Sequence, residues 1–271
     1  MLKREFGVGK KGIGKSVEQN ENDSMANQED AAIETDNHEL GLDAGEPASA
    51  TLALAIEKLG LELPAEAPAT AIPQLEEYCR RLWDWNEKIN LTRHTNFDLF
   101  ARRDLLDACK LAKLLDAGED ILDVGSGGGV PGIVVAILRP DVQVSLCDSV
   151  GKKAKVLDDI VERMKLPIPV HALRVQAVLE DYRYSSLVAR AVGSLEKLCE
   201  WLKNDWHNFD RLLALKGPKW IEERGAARHR GLLKGIELRR LVSYPMPGTE
   251  SESVILQLRR LKPGEKENSQ D

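Results

Sequence analysis

The sequence is poor in the residues that build metal sites and disulfide frameworks. Four cysteines occur in 271 residues, Cys79, Cys109, Cys147 and Cys199, and none forms a CxxC pair or a Cys/His ligand spacing. Histidines such as His94, His171, His207 and His229 are scattered along the chain, so no metal is expected. Isolated thiols fit a reducing cytoplasm, where the sequon Asn90-Leu91-Thr92 is a coincidence of letters. No run approaches the roughly 18 consecutive apolar residues of a membrane span, and the N-terminus lacks the apolar region of a signal peptide. Between residues 17 and 48 there is no Lys or Arg against ten carboxylates, whereas residues 1–16 carry a net +4. With a formal charge of −6 for the whole chain, residues 49–271 are neutral. The acidity belongs to the leader and does not argue against a polyanionic partner.

Two glycine-rich segments compete for attention. "GKKGIGKS", residues 9–16, fits the phosphate-loop pattern GxxxxGK(S/T). Such a loop must leave a buried strand and open a helix whose N-terminus faces the anion. Here the segment before it is short and charged, and the segment after it has no apolar periodicity by which a helix could dock. Residues 1–48 therefore read as a disordered leader, with Met25 an alternative start, and residues 263–271 as a disordered tail.

From residue 49 the composition supports a core, with 42% hydrophobic residues over the whole chain. "SATLALAIEKLG" places Leu52, Ala55, Ile56 and Leu59 at helical spacing, with Ser49 as cap and Gly60 as stop. Residues 73–90 repeat the pattern with Leu75, Tyr78, Leu82, Trp85 and Ile89, and residues 96–115 make a third helix. These form a small helical cap over residues 49–115. Residues 116–262 then alternate strands ("DILDVG", "VQVSLCD", "PVHALRV", "LVARAV", "RLLALKG") with helices, and "GIELRRLVSYP" and "ESVILQLRRL" close the chain as paired strands. Such alternation predicts a mostly parallel sheet with helices on both faces, binding ligands outside the carboxyl ends of its strands.

"DVGSGGGVPG", residues 123–132, falls at that place. Gly125, Gly127 and Gly129 let the backbone turn tightly and approach a ligand, and free N–H groups at the helix start can receive a carboxylate. Asp148, at the end of the second strand, can accept hydrogen bonds from both hydroxyls of a ribose. Gly127-x-Gly129-x-x-Gly132 also fits a dinucleotide fingerprint, but Asp123 before the first glycine and Pro131 inside the pattern point toward S-adenosylmethionine.

"LWDWNEKINLT", "ILDVGSGGGVPG", "LRPDVQVSLCDSVGKKAKVL", "ARAVGSL" and "ALKG" together, across residues 74–260, resemble the ribosomal RNA small subunit methyltransferase G family, also called the glucose-inhibited division protein B family. The resemblance implies a Rossmann-like S-adenosylmethionine-dependent methyltransferase fold. It also implies methylation of N7 of a guanine in bacterial small-subunit (16S) ribosomal RNA. It carries cofactor positions onto Gly125, Val130, Ala177, Val178 and Arg190; apart from it, the place of Arg190 at a strand's C-terminal end suits a residue that orients the cofactor carboxylate or the guanine edge. The chain departs from the family pattern in several places. Gln176-Ala177-Val178 stands for Arg-Ala-Glu, and Asp104 and Ala108 stand for a histidine and a serine after Arg103. Ser185 stands for an aspartate, and Glu250-Ser251-Glu252 for Glu-Arg-His.

Residues 211–240 carry a net +6, and with Arg80, Arg81, Arg93, Arg102 and Arg103 they would form a basic rim around the crevice, with Arg103, Lys216 and Lys219 as RNA contacts. Trp83 and Trp85 fit a helix core and edge better than base-stacking platforms. The expectation is a monomeric, cytoplasmic enzyme. Three rivals stay open: a same-fold methyltransferase with a different or lost RNA target, a nicotinamide-dinucleotide oxidoreductase, and a non-catalytic ribosome-binding protein.

Overall fold

A computed structural model describes residues 48–262, 264 and 265. The leader with its "GKKGIGKS" segment and most of the C-terminal tail lie outside the described residues. The chain enters through α1 (Leu52–Leu59) and α2 (Ala71–Asn86), followed by α3 (Phe97–Phe100), a π-helical turn (Ala101–Leu105) and α4 (Leu106–Ala112). Ser49 is not the cap of α1. Thr51 holds that place, accepting from the Leu54 N–H, while Ser49 donates to Asp98. Gly60 ends α1 as expected, in the left-handed conformation at φ 62° that frees its N–H for the helix carbonyls. Pro73 is tolerated in the first turn of α2, where its missing N–H has no intrahelical partner to lose.

The main sheet follows as β1 (Asp120–Val124), α5 (Gly132–Leu138), β2 (Gln143–Cys147), α6 (Gly151–Met164), β3 (Val170–His171), α7 (Val175–Asp181), β4 (Tyr184–Arg190), α8 (Leu195–Leu202), β5 (Phe209–Lys216), α9 (Trp220–His229), β6 (Ile236–Pro245) and β7 (Glu252–Arg260). The strand order is β3-β2-β1-β4-β5-β7-β6, parallel from β3 to β5, with the β6–β7 hairpin added antiparallel. This is the expected doubly wound α/β sheet. The third strand is shorter than "PVHALRV" suggests. Only Val170 and His171 pair with β2, and Val175, Val178 and Leu179 instead bury one face of α7 at helical spacing.

Strand alternation divides the interior into two cores. Ile121 faces a cluster containing α5, α6 and the cap helices, including Leu52, Leu75, Tyr78, Leu82 and Phe100. Leu122 and Val124 face a second cluster under α7, α8 and α9. The cap thus shares its core with the sheet. All four cysteines are buried, and burial pushes the thiols of Cys109, Cys147 and Cys199 up to about 12. Among the described residues no helix is long and apolar enough to cross a membrane.

Candidate cofactor crevice

β1 lies between β2 and β4, and the connection leaving β1 runs to β2 on one side while that leaving β4 runs to β5 on the other, so a crevice opens at their carboxyl ends. The chain leaves Val124 through three glycines of positive φ: Gly125 at 68°, Gly127 at 56° and Gly129 at 103°. Each is a conformation that a side chain resists. Space is restricted as well. A Cβ on Gly125 would lie 2.6 Å from Val192 Cγ1, and one on Gly132 would lie 2.3 Å from Leu146 Cδ2. Gly127 differs, because a Cβ there would meet only the Gly125 carbonyl at 3.9 Å. Its outer side is open.

Asp148 sets the loop's position. Its Oδ2 accepts from the Gly127 N–H at 2.8 Å and its Oδ1 from the Val150 N–H at 2.8 Å. Each carboxylate oxygen keeps a second lone pair, so this buried aspartate can still receive a pair of vicinal hydroxyls. An open glycine surface beside a carboxylate with two free acceptor positions fits S-adenosylmethionine. Beneath the loop, Asp123 accepts from the Gly132 N–H at 3.0 Å. Burial pushes its carboxyl up to about 7 against the opposing pull of that hydrogen bond.

The carboxyl end of β4 carries a buried charge network. Arg190 donates from Nε to Asp107 at 2.7 Å and from Nη2 to Asp104 at 2.8 Å. The Tyr244 hydroxyl donates to Asp107 at 2.6 Å, and His94 Nδ1 lies 2.9 Å from Asp104. Burial alone would raise Asp104, but Arg190 and His94 outweigh it and hold the carboxyl below its usual range. Arg190 is therefore fixed in place, and Nε and Nη2 are committed to carboxylates. The next residue, Ala191, has φ 56°, a left-handed conformation rare for a residue with a Cβ and frequent at functional sites.

The structure brings Gly125, Gly127 and Asp148 together as the sequence suggests, with Val130 at the foot of the loop, half-buried against the first core. Ala177 is half-buried on α7, while Val178 is in the second core. Lys219 is exposed at the start of α9, and Arg103 is half-buried in the π turn. Lys216 pairs with Glu223 at 2.8 Å and donates to the Gly193 carbonyl. Trp83 and Trp85 are half-buried, donating to the His94 carbonyl and to Asp159. Sequence reasoning did not find the roles of His94, Asp104, Asp107 and Tyr244. The one local signal was the spacing of two aspartates three residues apart on a helix.

A family model described as rRNA small subunit methyltransferase G matches residues 71–248. The ribosomal RNA small subunit methyltransferase G of Rhodopirellula baltica is 53% identical over 198 residues, 73% of this chain and 84% of its own. The protein of the same name from Pseudomonas aeruginosa is 34% identical over 210 residues, 77% of this chain and 94% of its own. That from an Anaeromyxobacter species is 32% identical over 218 residues, 79% and 99% of the two chains.

Proposed function

The chain belongs to the ribosomal RNA small subunit methyltransferase G family, and from that premise we propose that it methylates N7 of a guanine in small-subunit ribosomal RNA. Its fold is that of a Rossmann-like methyltransferase and its cofactor is S-adenosylmethionine, which when bound supplies a methyl group on a sulfonium. The observation that carries the reading is the open Gly127 surface beside Asp148 at the carboxyl ends of β1 and β2. Asp148 would take the ribose hydroxyls, and Gly125, Gly127 and Val130 would line the cofactor, with Ala177 and Val178 toward the adenine. Guanine N7 carries an exposed lone pair and needs no general base, so the work of the chain is orientation and electrostatics. Arg190, immobilised by Asp104 and Asp107, is the orienting residue at the acceptor side. Arg103 and Lys219 are RNA contacts on this reading, and Lys216 acts through its ion pair with Glu223. The reading includes a monomeric enzyme in the cytoplasm.

The test is transfer of tritium from labelled S-adenosylmethionine to small-subunit RNA and to assembled subunits, with the modified nucleotide mapped. Label at a guanine N7, absent with Gly125→Asp, is the expected result. The side chain in that variant collides with Val192 at a left-handed backbone position, so circular dichroism must show that it still folds. Asp148→Asn serves as a second, milder control, expected to weaken cofactor binding. Cofactor binding without transfer to any RNA would overturn the assigned activity, and NAD binding in its place would favour the oxidoreductase.

A further inference from the structure

We propose that Tyr78 is a positioning residue for the cofactor, a buried strut by which α2 holds the glycine loop in its binding shape. The proposal rests on the methyltransferase reading of the crevice. Tyr78 is fully buried in the middle of α2, and its hydroxyl donates to the Gly128 carbonyl at 2.9 Å. Gly128 is at the apex of the loop. On one side of it the Gly127 N–H is held by Asp148, and on the other the Gly129 N–H closes the turn onto the Ser126 carbonyl at 2.7 Å. The apex is therefore fixed from three directions, by β2, by the loop itself and by the cap.

An independent observation shows how closely the cap is applied. A Cβ on Gly128 would lie 3.1 Å from Leu82 Cδ1 and 3.6 Å from the Leu91 carbonyl oxygen. Tyr78 and Leu82 are one helical turn apart and reach the same loop residue, one by hydrogen bond and one by packing. The helix that carries them is itself anchored. Trp85 donates to Asp159 on α6 at 2.9 Å, and Trp83 donates to the His94 carbonyl at 2.8 Å. The hydroxyl of Tyr78 also stays protonated, because burial first, and then Asp104, push its pKa well up. A permanent donor on an anchored helix fixes the loop before any ligand arrives, which is the condition for a preorganised site.

The substitution Tyr78→Phe removes one oxygen and keeps the ring. In the cofactor-free protein, amide hydrogen exchange across residues 125–130 is expected to be faster in Tyr78→Phe than in the wild type. S-adenosylmethionine is expected to bind about three- to tenfold more weakly, the worth of one hydrogen bond. Its KM rises in proportion, while kcat and the KM for RNA hold. Thr249→Val, which loses a hydroxyl-to-carbonyl bond of the same kind and length, to Met246 in the β6–β7 turn, is the control and is expected to alter neither loop exchange nor cofactor affinity. Unchanged exchange and affinity in Tyr78→Phe would overturn the proposal, as would an equal loss of affinity in both variants. A wild-type protein that binds no S-adenosylmethionine would overturn the methyltransferase reading and the cofactor role with it. The exchange comparison would still decide whether Tyr78 holds the loop.

Discussion

At Asp123 a carboxyl has been taken out of water beneath the glycine loop, and burial pushes its pKa up to about 7. The folded protein therefore holds a proton there that the unfolded chain, titrating near 3.9, has already released. Between roughly pH 4 and 7 the native state binds more protons than the unfolded state, so this residue makes stability fall as pH rises through that window. The substitution Asp123→Asn removes the titration and keeps an oxygen for the Gly132 N–H. The stability of Asp123→Asn relative to wild type should climb steadily from pH 4 to 7 and then level off, as read by denaturant midpoints. A difference that stays flat across that range would show the carboxyl to be ionised throughout. No sequence pattern announced this, because the aspartate reads equally well as a cofactor ligand until its burial and its Gly132 partner are known.

At the scale of elements, β1, the glycine loop and α5 were legible because everything that defines them is local: a buried strand, glycines at required turns, an apolar helix. The place of Asp148 was legible for the same reason, directly after a strand that pairs with β1. The network on the π turn was not. Arg190 meets Asp107 at a sequence separation of 83 and Tyr244 meets Asp107 at one of 137, and only tertiary packing selects these partners. By the family resemblance Asp104 stands where a histidine is usual, whereas in the structure it binds both Arg190 and His94. Removing one partner of a buried ion pair leaves the other uncompensated, typically at about 3–5 kcal/mol. Asp104→Ala still leaves Asp107 on Arg190, so it should lose less than that in urea titrations, about 1.5–3 kcal/mol for the charged hydrogen bonds given up, while the same change at exposed Asp84 should cost little. The sign with pH is opposite to that of Asp123. Because Asp104 is held below its usual range, its contribution is present above the ordinary aspartate pKa and is lost on acidification. The third strand was misread for a related reason, since Val175 belongs to the apolar stripe of α7 and not to the sheet.

Across the whole molecule, the basic stretch that looked like an RNA rim is partly neutralised within the fold. Arg211 pairs with Glu119, Lys216 with Glu223, Arg230 with Glu196 and Glu200, and Arg239 with Glu237. Lys219, just before α9, and Arg228 on it remain exposed. Net charge could be counted from the sequence, but which cations face a carboxylate depended on the fold. If RNA lies along α9, replacing Lys219 or Arg228 by Ala should weaken binding and lower the slope of log K against log salt by about 0.7–0.9 each. Replacing Arg211, which spans Glu119, Ser186 and the Leu114 carbonyl, should lower stability and leave that slope alone. Filter-binding titrations at several salt concentrations separate the two outcomes. The four cysteines carry a practical consequence of a different kind. All are enclosed in the interior with their thiols protonated, so the folded protein presents no natural target to a maleimide dye. A cysteine introduced at Leu54 on the cap, or at Ile221 on α9, both more than half exposed, would take a label alone. A pair of such dyes would turn the native sequence into a ruler for distances between the cap and α9 while RNA is bound.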